Sequence, residues 1–250
     1  MPSESEKMKT AVVTGASSGI GKATCELLIA QHYRVIAVAR NQDKLLQLTE
    51  LLGENCLPVV LDLTDAGGFE SFVSRLPDEF QNIDVLINNA GHDVGGRRRF
   101  DQGSVDQWCD IIATNVQGLM RITHAIVPGM LERGVGHIVN LGSTAGLKPY
   151  ATGTAYVASK YAVHGLSETL RLDYTGCGIR VSEIMPGLVR TDFASQRLGD
   201  QTEADQFYDG FDQCLHPENI ADTILYALQQ PAHVEIAQLV VLPVSKPAPV

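Results

Sequence analysis

The chain has 250 residues, 44% of them hydrophobic and 19% charged, which suffices for one large core and excludes a disordered chain. Asp and Glu number 29 against 19 Lys and Arg, a formal net charge of −10, so no general attraction for nucleic acid or an anionic membrane surface is expected. The five cysteines are odd in number and widely spaced, which suggests neither a disulfide framework nor a zinc site.

The first nine residues are polar and lack an apolar core, so they are not read as a signal peptide. No apolar run approaches the ~20 residues of a membrane span. With reduced thiols, a cytoplasmic protein is the expectation. From residue 10 onward, apolar β-branched runs alternate with longer helical patterns. That alternation predicts a single α/β domain with a doubly wound parallel sheet and helices on both faces.

The first strand is expected at residues 10–14 and the first helix at residues 20–31. Between them runs Gly15-Ala16-Ser17-Ser18-Gly19-Ile20-Gly21. Glycines allow a tight turn and close approach of backbone to a pyrophosphate, and the helix start adds free N–H groups. The spacing is G-x-x-x-G-x-G, not the commoner G-x-G-x-x-G. The same residues also match G-x-S-x-G, which would make Ser17 the nucleophile of a serine hydrolase. A hydrolase would need an earlier strand for its oxyanion hole and a histidine in a late loop. No strand precedes, and His137, His164 and His216 occupy no such loop.

The second strand, residues 34–39, is followed by Arg40. An acid at this place bonds the ribose 2′-hydroxyl of NAD, whereas an arginine accommodates the 2′-phosphate of NADP, so NADP(H) is predicted. Next come a helix at residues 42–52 and a strand at residues 57–62, ending on Asp62-Leu63 where an adenine ring would lie. A helix is expected at residues 67–75 and a strand at residues 85–88, followed by Asn89-Ala90-Gly91 and a glycine-rich loop with Arg97, Arg98 and Arg99.

A long helix at residues 105–132 carries Asn115, an amide able to organise a water beside a lysine. Ser143 follows the strand at residues 137–141, at the carboxyl edge where open α/β sheets bind ligands. Tyr156 and Lys160 lie four apart on a helix at residues 155–173, so they share one face. A tyrosine with its ordinary pKa near ~10 is a poor base, and a nearby ammonium is expected to lower that pKa. Beyond a strand at residues 180–184 stand Pro186 and Gly187, then an irregular stretch at residues 188–215 long enough for a substrate loop. A helix at residues 217–229, a strand at residues 239–242 and an apolar, proline-rich tail over residues 239–250 complete the chain.

Together, Thr14-Gly15-x-x-x-Gly19-x-Gly21, Asn88-Asn89-Ala90-Gly91, Asn115, Ser143, Tyr156-x-x-x-Lys160 and Pro186-Gly187-x-x-x-Thr191 resemble the short-chain dehydrogenase/reductase family over nearly the whole chain. The resemblance implies a Rossmann-type sheet of seven strands and a catalytic tetrad of Asn115, Ser143, Tyr156 and Lys160. It implies that Tyr156 is the general acid for reduction and that Lys160 also contacts the nicotinamide ribose. Gly15, Ser17, Ser18, Gly19, Ile20 and Gly21 would hold the phosphates, Asn89, Ala90 and Gly91 would line the cofactor, and Pro186, Gly187, Val189 and Thr191 would cover the carboxamide. A homotetramer or dimer, formed through the helices of Asn115 and Tyr156 and the last strand, is also implied.

Gly142-Ser143-Thr144-Ala145-Gly146, Pro186-Gly187-Leu188-Val189 and Pro231-Ala232-His233-Val234 resemble the NADP-dependent 3-hydroxy acid dehydrogenases, which include serine and allo-threonine dehydrogenases, and their sulfoacetaldehyde-reducing relatives. The expected substrate is therefore a small anionic aldehyde or ketone and its hydroxy acid. Such a substrate needs a cation, and an arginine fork suits carboxylate or sulfonate. Arg197 is the preferred candidate, with Arg190 and the run Arg97 to Arg99 as others, and Tyr150 is a candidate hydroxyl donor. The basic loop after Gly91 departs from the subgroup and leaves room for a sulfonate. The competing class is a nucleotide-sensing binding protein that keeps the fold without catalysis.

Overall fold

The computed structural model describes residues 8–209 and 213–245. Its strands are β1 (Thr10–Thr14), β2 (Arg34–Ala39), β3 (Cys56–Val60), β4 (Ile83–Asn88), β5 (Gly136–Leu141), β6 (Ile179–Pro186) and β7 (Gln238–Val241). They form one sheet in the order β3-β2-β1-β4-β5-β6-β7, and every pairing is parallel. Strands of this kind are apolar on both faces because helices cover both. In β1, Ala11 and Val13 join one apolar cluster while Val12 joins the other, as the two-residue period of a strand requires.

The first cluster packs α1 (Gly19–Ala30), α2 (Gln42–Leu52) and α8 (Pro217–Leu228) through Leu28, Leu45 and Ile224. The second packs α4 (Leu119–Arg133) through Ile122, Ile126 and Met130. The chain leaves β1 for β2 in one direction and returns to β4 in the other, so a crevice opens at the carboxyl ends of β1 and β4. Among the described residues no helix is long and apolar enough to cross a membrane.

The structure corrects three expectations. The helix expected at residues 67–75 is absent; Ala66–Gly68, Val73–Arg75 and Asp78–Phe80 are separate 3₁₀ turns. Gly67 and Gly68 weaken a helix there, yet Phe69, Phe72, Leu76 and Phe80 are still buried, so their spacing anchors a folded-down loop. The long helix at residues 105–132 is α3 (Val105–Ile112) and α4 joined by a wider π turn, Ala113–Gly118, which holds Asn115. Such turns interrupt a helix with little visible trace in the hydrophobic period.

The stretch at residues 188–215 is not irregular over residues 193–209. It contains α6 (Phe193–Leu198) and α7 (Gln201–Asp209), which meet through Ala194, Ala204 and Tyr208. Two short helices that bury mainly alanine and one tyrosine give a weak periodic signal. The end of the tail, residues 246–250, lies outside the described residues, and Ser245 Oγ donates to the Gln213 carbonyl at 3.0 Å.

Candidate active site

The crevice is a cavity of about 870 Å³ that runs along the carboxyl edge of the sheet. One end is built by the turn from β1 to α1. Gly15 and Gly19 adopt the left-handed φ values of 67° and 52°. A Cβ on Gly21 would stand 2.3 Å from the Gly15 carbonyl, and one on Gly15 would stand 2.9 Å from Asn89 Nδ2, so the turn has no room for side chains there. Ser18 precedes α1, and its side chain makes no capping hydrogen bond. The first N–H groups of the helix thus receive no cap from Ser18, and Ser18, Gly19 and Ile20 line the cavity, a setting suited to a phosphate.

The turn is held against the end of β4. Asn89 Nδ2 donates to the Thr14 carbonyl at 2.9 Å, and the backbone N–H groups of Asn89 and Ala90 both donate to Thr14 Oγ1 at 3.0 Å. Below it, Asn88 Nδ2 donates to Asn140 Oδ1 at 2.9 Å, tying β4 to β5. Farther along the wall lie Arg40, Lys44, Asp62 and Leu63. Burial acts to raise the pKa of Asp62, but hydrogen bonds from Thr64 and the nearby Arg40 bring the net shift below the ordinary value. Lys44 also forms an ion pair of 4.0 Å with Asp192 across the mouth.

The middle of the cavity combines β5 and α5 (Thr154–Asp173). Ser143 stands just past β5, where its Oγ accepts from the Ala145 N–H at 3.1 Å and shares a hydrogen bond with the Tyr156 hydroxyl. Lys160 is 7% exposed, its Nζ donates to the Leu141 carbonyl at 2.7 Å, and that nitrogen lies 5.7 Å from the Tyr156 ring centre. Burial pulls the Lys160 pKa down to about 8, while the Glu183 carboxylate acts to raise it.

The tyrosine departs from expectation. Burial pushes the Tyr156 hydroxyl well above its ordinary value, outweighing Arg197 and the Ser143 hydrogen bond, which lower it. Arg197 is the charge that lowers the phenol's pKa most, and burial holds the group as a protonated acid.

Asn115 is buried one layer behind the wall. Its Nδ2 donates to the His92 carbonyl and to Ser159 Oγ, both at 3.0 Å, and its Oδ1 accepts from the His92 N–H at 2.9 Å. The π turn thereby clamps the loop after Gly91 onto α5. Of the residues expected at the site, Asn115 and Gly21 stand behind the cavity surface, whereas Gly15, Ser17, Ser18, Gly19, Ile20, Arg40, Asp62, Leu63, Asn89, Ala90, Gly91, Ser143, Tyr150, Tyr156, Lys160, Pro186, Gly187, Val189, Thr191 and Arg197 line it. The Thr191 methyl lies against Gly19, where a Cβ would be 3.2 Å away, so the segment after β6 closes over the turn after β1.

The other end is made of charged and aromatic side chains. Arg197 of α6 pairs through Nε with Asp93 Oδ2 at 2.7 Å. Its guanidinium carbon lies 5.7 Å from the Tyr156 ring centre and 5.0 Å from that of Phe193. Arg97 makes a matching arrangement, 5.5 Å from Tyr150 and 5.3 Å from Phe207, with its own backbone in the left-handed region at φ 63°. Asp93 is 2% exposed; burial raises its pKa, and Arg197 and then Arg97 oppose the rise. Arg197 thus pairs directly with this buried carboxylate while Arg97 acts on it from farther away, which leaves excess positive charge at this end of the cavity.

Asp93, Phe193 and Phe207 were missed by the sequence reading. The only signal for Asp93 was an acid set inside a basic, glycine-rich loop. Other arginine candidates point elsewhere: Arg99 pairs with Asp101 at 3.0 Å, and Arg190 pairs with Asp209 at 3.5 Å while lying 5.4 Å from the Tyr208 ring.

The hydrolase alternative finds no geometry. Among the described residues no histidine bonds Ser17. His137 is buried against Ser182 Oγ at 2.8 Å with its pKa pushed down to about 3 by burial. His164 pairs with Glu183 at 2.8 Å, and His216 precedes α8, its N–H taken by Asn219.

The chain as a whole is similar to known proteins. The short chain dehydrogenase family matches residues 9–202, and the chain belongs to that family, an oxidoreductase family. The NADP-dependent 3-hydroxy acid dehydrogenase YdfG of Escherichia coli (strain K12) is 40% identical over 237 residues, covering 94% of this chain and 95% of that protein. A probable NADP-dependent dehydrogenase of Haemophilus influenzae is 38% identical over 242 residues, covering 96% of this chain and 95% of that one. Among solved structures, the closed form of serine dehydrogenase complexed with NADP+ superimposes with a TM-score of 0.93 at 39% identity, covering 96% of this chain and 97% of the other.

Proposed function

We propose that this protein is a dehydrogenase/reductase that interconverts a small anionic aldehyde or ketone and its hydroxy acid. The cofactor is NADP(H). The glycine turn leaves room for phosphates and none for side chains, and Arg40 and Lys44 line the far wall where a 2′-phosphate needs cations. Relatives similar over nearly their whole length carry NADP in their names. When bound, the nicotinamide supplies or accepts the hydride.

The protein's own residues handle the oxygen and its proton. Ser143 holds the substrate oxygen through its hydroxyl. Tyr156, kept protonated by burial, gives its proton to that oxygen in reduction and takes it back in oxidation. The Lys160 ammonium, close to the tyrosine ring, stabilises the phenolate left behind. Asn115 holds the loop at His92 in register with α5, a positioning role rather than contact with the reacting atoms.

The observation that carries the substrate class is Arg197, fixed on Asp93 and set over the Tyr156 ring. A guanidinium there binds an acidic group beside the reacting carbon, and Tyr150 and Arg97 extend the same anion site. A 3-hydroxy acid of the malonic semialdehyde type fits this chemistry. A sulfonate, as in sulfoacetaldehyde and isethionate, fits as well, because a second arginine offers donors for a third oxygen.

The test is NADPH oxidation with malonic semialdehyde, sulfoacetaldehyde, succinic semialdehyde and neutral aldehydes of similar length. Anionic aldehydes are expected to give the higher kcat/KM, and a preference for neutral ones would overturn the substrate class. Turnover of no carbonyl compound, with NADPH still bound, would favour a nucleotide-sensing protein. A cytoplasmic homotetramer or dimer is part of the same proposal. It is supported by exposed apolar side chains along α3, α4 and α5, namely Val105, Met120, Tyr161 and Leu172, and a monomeric mass at micromolar concentration would refute it.

A further inference from the structure

Beneath the middle of the cavity lies a titratable pair that the proposed chemistry does not use. Glu183 on β6 is 0% exposed. Its Oε2 lies 2.8 Å from His164 Nδ1, and its Oε1 is buried with no hydrogen-bond partner. That free oxygen lies against Gly142, where a Cβ would come within 2.2 Å of it. Gly142 sits between Leu141, whose carbonyl receives Lys160 Nζ, and Ser143. On α5, Lys160, His164 and Glu168 follow Tyr156 at steps of four, so all four fall along one stripe. His164 Nε2 lies 4.0 Å from the Glu168 carboxylate, which is half exposed.

A buried carboxylate without a cation is costly, and a buried ammonium without an anion equally so. The groups that face Glu183 are His164, Lys160 and Arg171, all from α5. Arg171 is already engaged, donating to the Val181 and Ala237 carbonyls at 3.2 and 2.9 Å. From the segment just past β5, Gly142 approaches Glu183 closely. The charge that faces Lys160 is Glu183, from the neighbouring strand, with the uncharged Tyr156 on its own helix and the Leu141 carbonyl on β5.

We propose that Glu183, anchored by His164, is a positioning residue for Lys160: its carboxylate keeps the lysine an ammonium inside a dry site. The proposal rests on the role assigned to Lys160 above. Burial alone drives the lysine toward the neutral amine, and the carboxylate opposes this, leaving the pKa at about 8. Removing the carboxylate charge therefore lowers that pKa further, so the neutral amine prevails at a lower pH than in the wild type. Reduction then loses its phenolate-stabilising cation on the alkaline side, while at acid pH the ammonium persists and the rate is kept. Burial raises the Glu183 pKa, and the His164 hydrogen bond, followed by the charges of Lys160 and Arg171, opposes that rise, so His164 acts through Glu183 by favouring its ionised form.

The test follows the Lys160 ammonium directly by ¹⁵N NMR titration, with the signal assigned by its loss in Lys160→Met. It is combined with kcat/KM for carbonyl reduction between pH 5.5 and 9.5, with NADPH affinity and Tm as controls. Glu183→Gln is expected to move both the titration and the alkaline limb down by about one pH unit, roughly a tenfold rate loss near pH 8.5 and little near pH 6. Glu183→Asp is expected to restore part of the shift, and His164→Leu to move it the same way by less. A lysine titration that stays in place in Glu183→Gln overturns the proposal, as does a loss equal at all pH values with an unmoved titration. A shifted titration with an unshifted rate profile would instead uphold the pair and count against the role assigned to Lys160.

Discussion

The two ends of the cavity are built by different means. The end at the β1–α1 turn is made of backbone: left-handed glycines, helix N–H groups and a lattice of bonds among Thr14, Asn89 and Ala90. The end beyond Tyr156 is made of side chains: Asp93 pairs with Arg197, and each of two arginines lies between a tyrosine and a phenylalanine. The first suits a ligand that does not vary, because a fixed backbone recognises a phosphate by shape. The second suits selection among related ligands, because side chains can be exchanged without rebuilding the sheet.

Five substitutions test this contrast, in descending order of expected effect. Tyr156→Phe sits between the two ends and is expected to lower kcat about 10²- to 10⁴-fold, with NADPH affinity retained. Stopped-flow hydride transfer and fluorescence binding separate the two quantities, and equal losses in both would mean that the tyrosine builds the cofactor end instead.

Gly21→Ala tests the backbone end. Its Cβ would meet the Gly15 carbonyl at 2.3 Å, and overpacking of this kind costs about 1–3 kcal/mol. NADPH binding is expected to weaken about 10- to 100-fold for every carbonyl substrate alike. A change in the ranking of substrates would show that the two ends are not separable.

Arg197→Ala tests the side-chain end. A charge-assisted hydrogen bond is worth about 1.5–3 kcal/mol, so kcat/KM for an anionic aldehyde should fall about 10- to 100-fold, chiefly through KM, with little change for a neutral one. Asp93→Asn leaves Arg197 in place but loosens its hold, and a smaller loss with the same substrate pattern is expected. Parallel losses on neutral and anionic substrates would remove this pair from recognition.

Arg40→Ala is the mildest. Arg40 is exposed, and exposed charge pairs contribute about 1 kcal/mol or less. The ratio of kcat/KM with NADPH to that with NADH should fall about fivefold, and an unchanged ratio would assign 2′-phosphate recognition to Lys44.

The backbone end was legible in the sequence because its geometry is local. Gly15, Gly19 and Gly21 lie within one turn, and each is needed where a Cβ or an ordinary φ does not fit. Tyr156 and Lys160 were legible for the same reason, since four residues in a helix guarantee one face. The strands were legible from runs buried on both sides. The misplaced elements share the opposite trait: Gly67 and Gly68 break a helical period that Phe69 and Phe72 still suggest, and α6 and α7 bury too little to show one.

The sheet, the glycine turn and the tyrosine–lysine pair follow from local order along the chain, because each depends on residues near in the chain and on the fixed periods of helix and strand. Which cation meets which anion is set only when the chain folds. Asp93 finds Arg197 on the far side of the cavity, and Glu183 meets His164 and Lys160 across the gap between a strand and a helix. Charge pairing in a low-dielectric interior depends on distance in space, and separation along the chain carries no record of it.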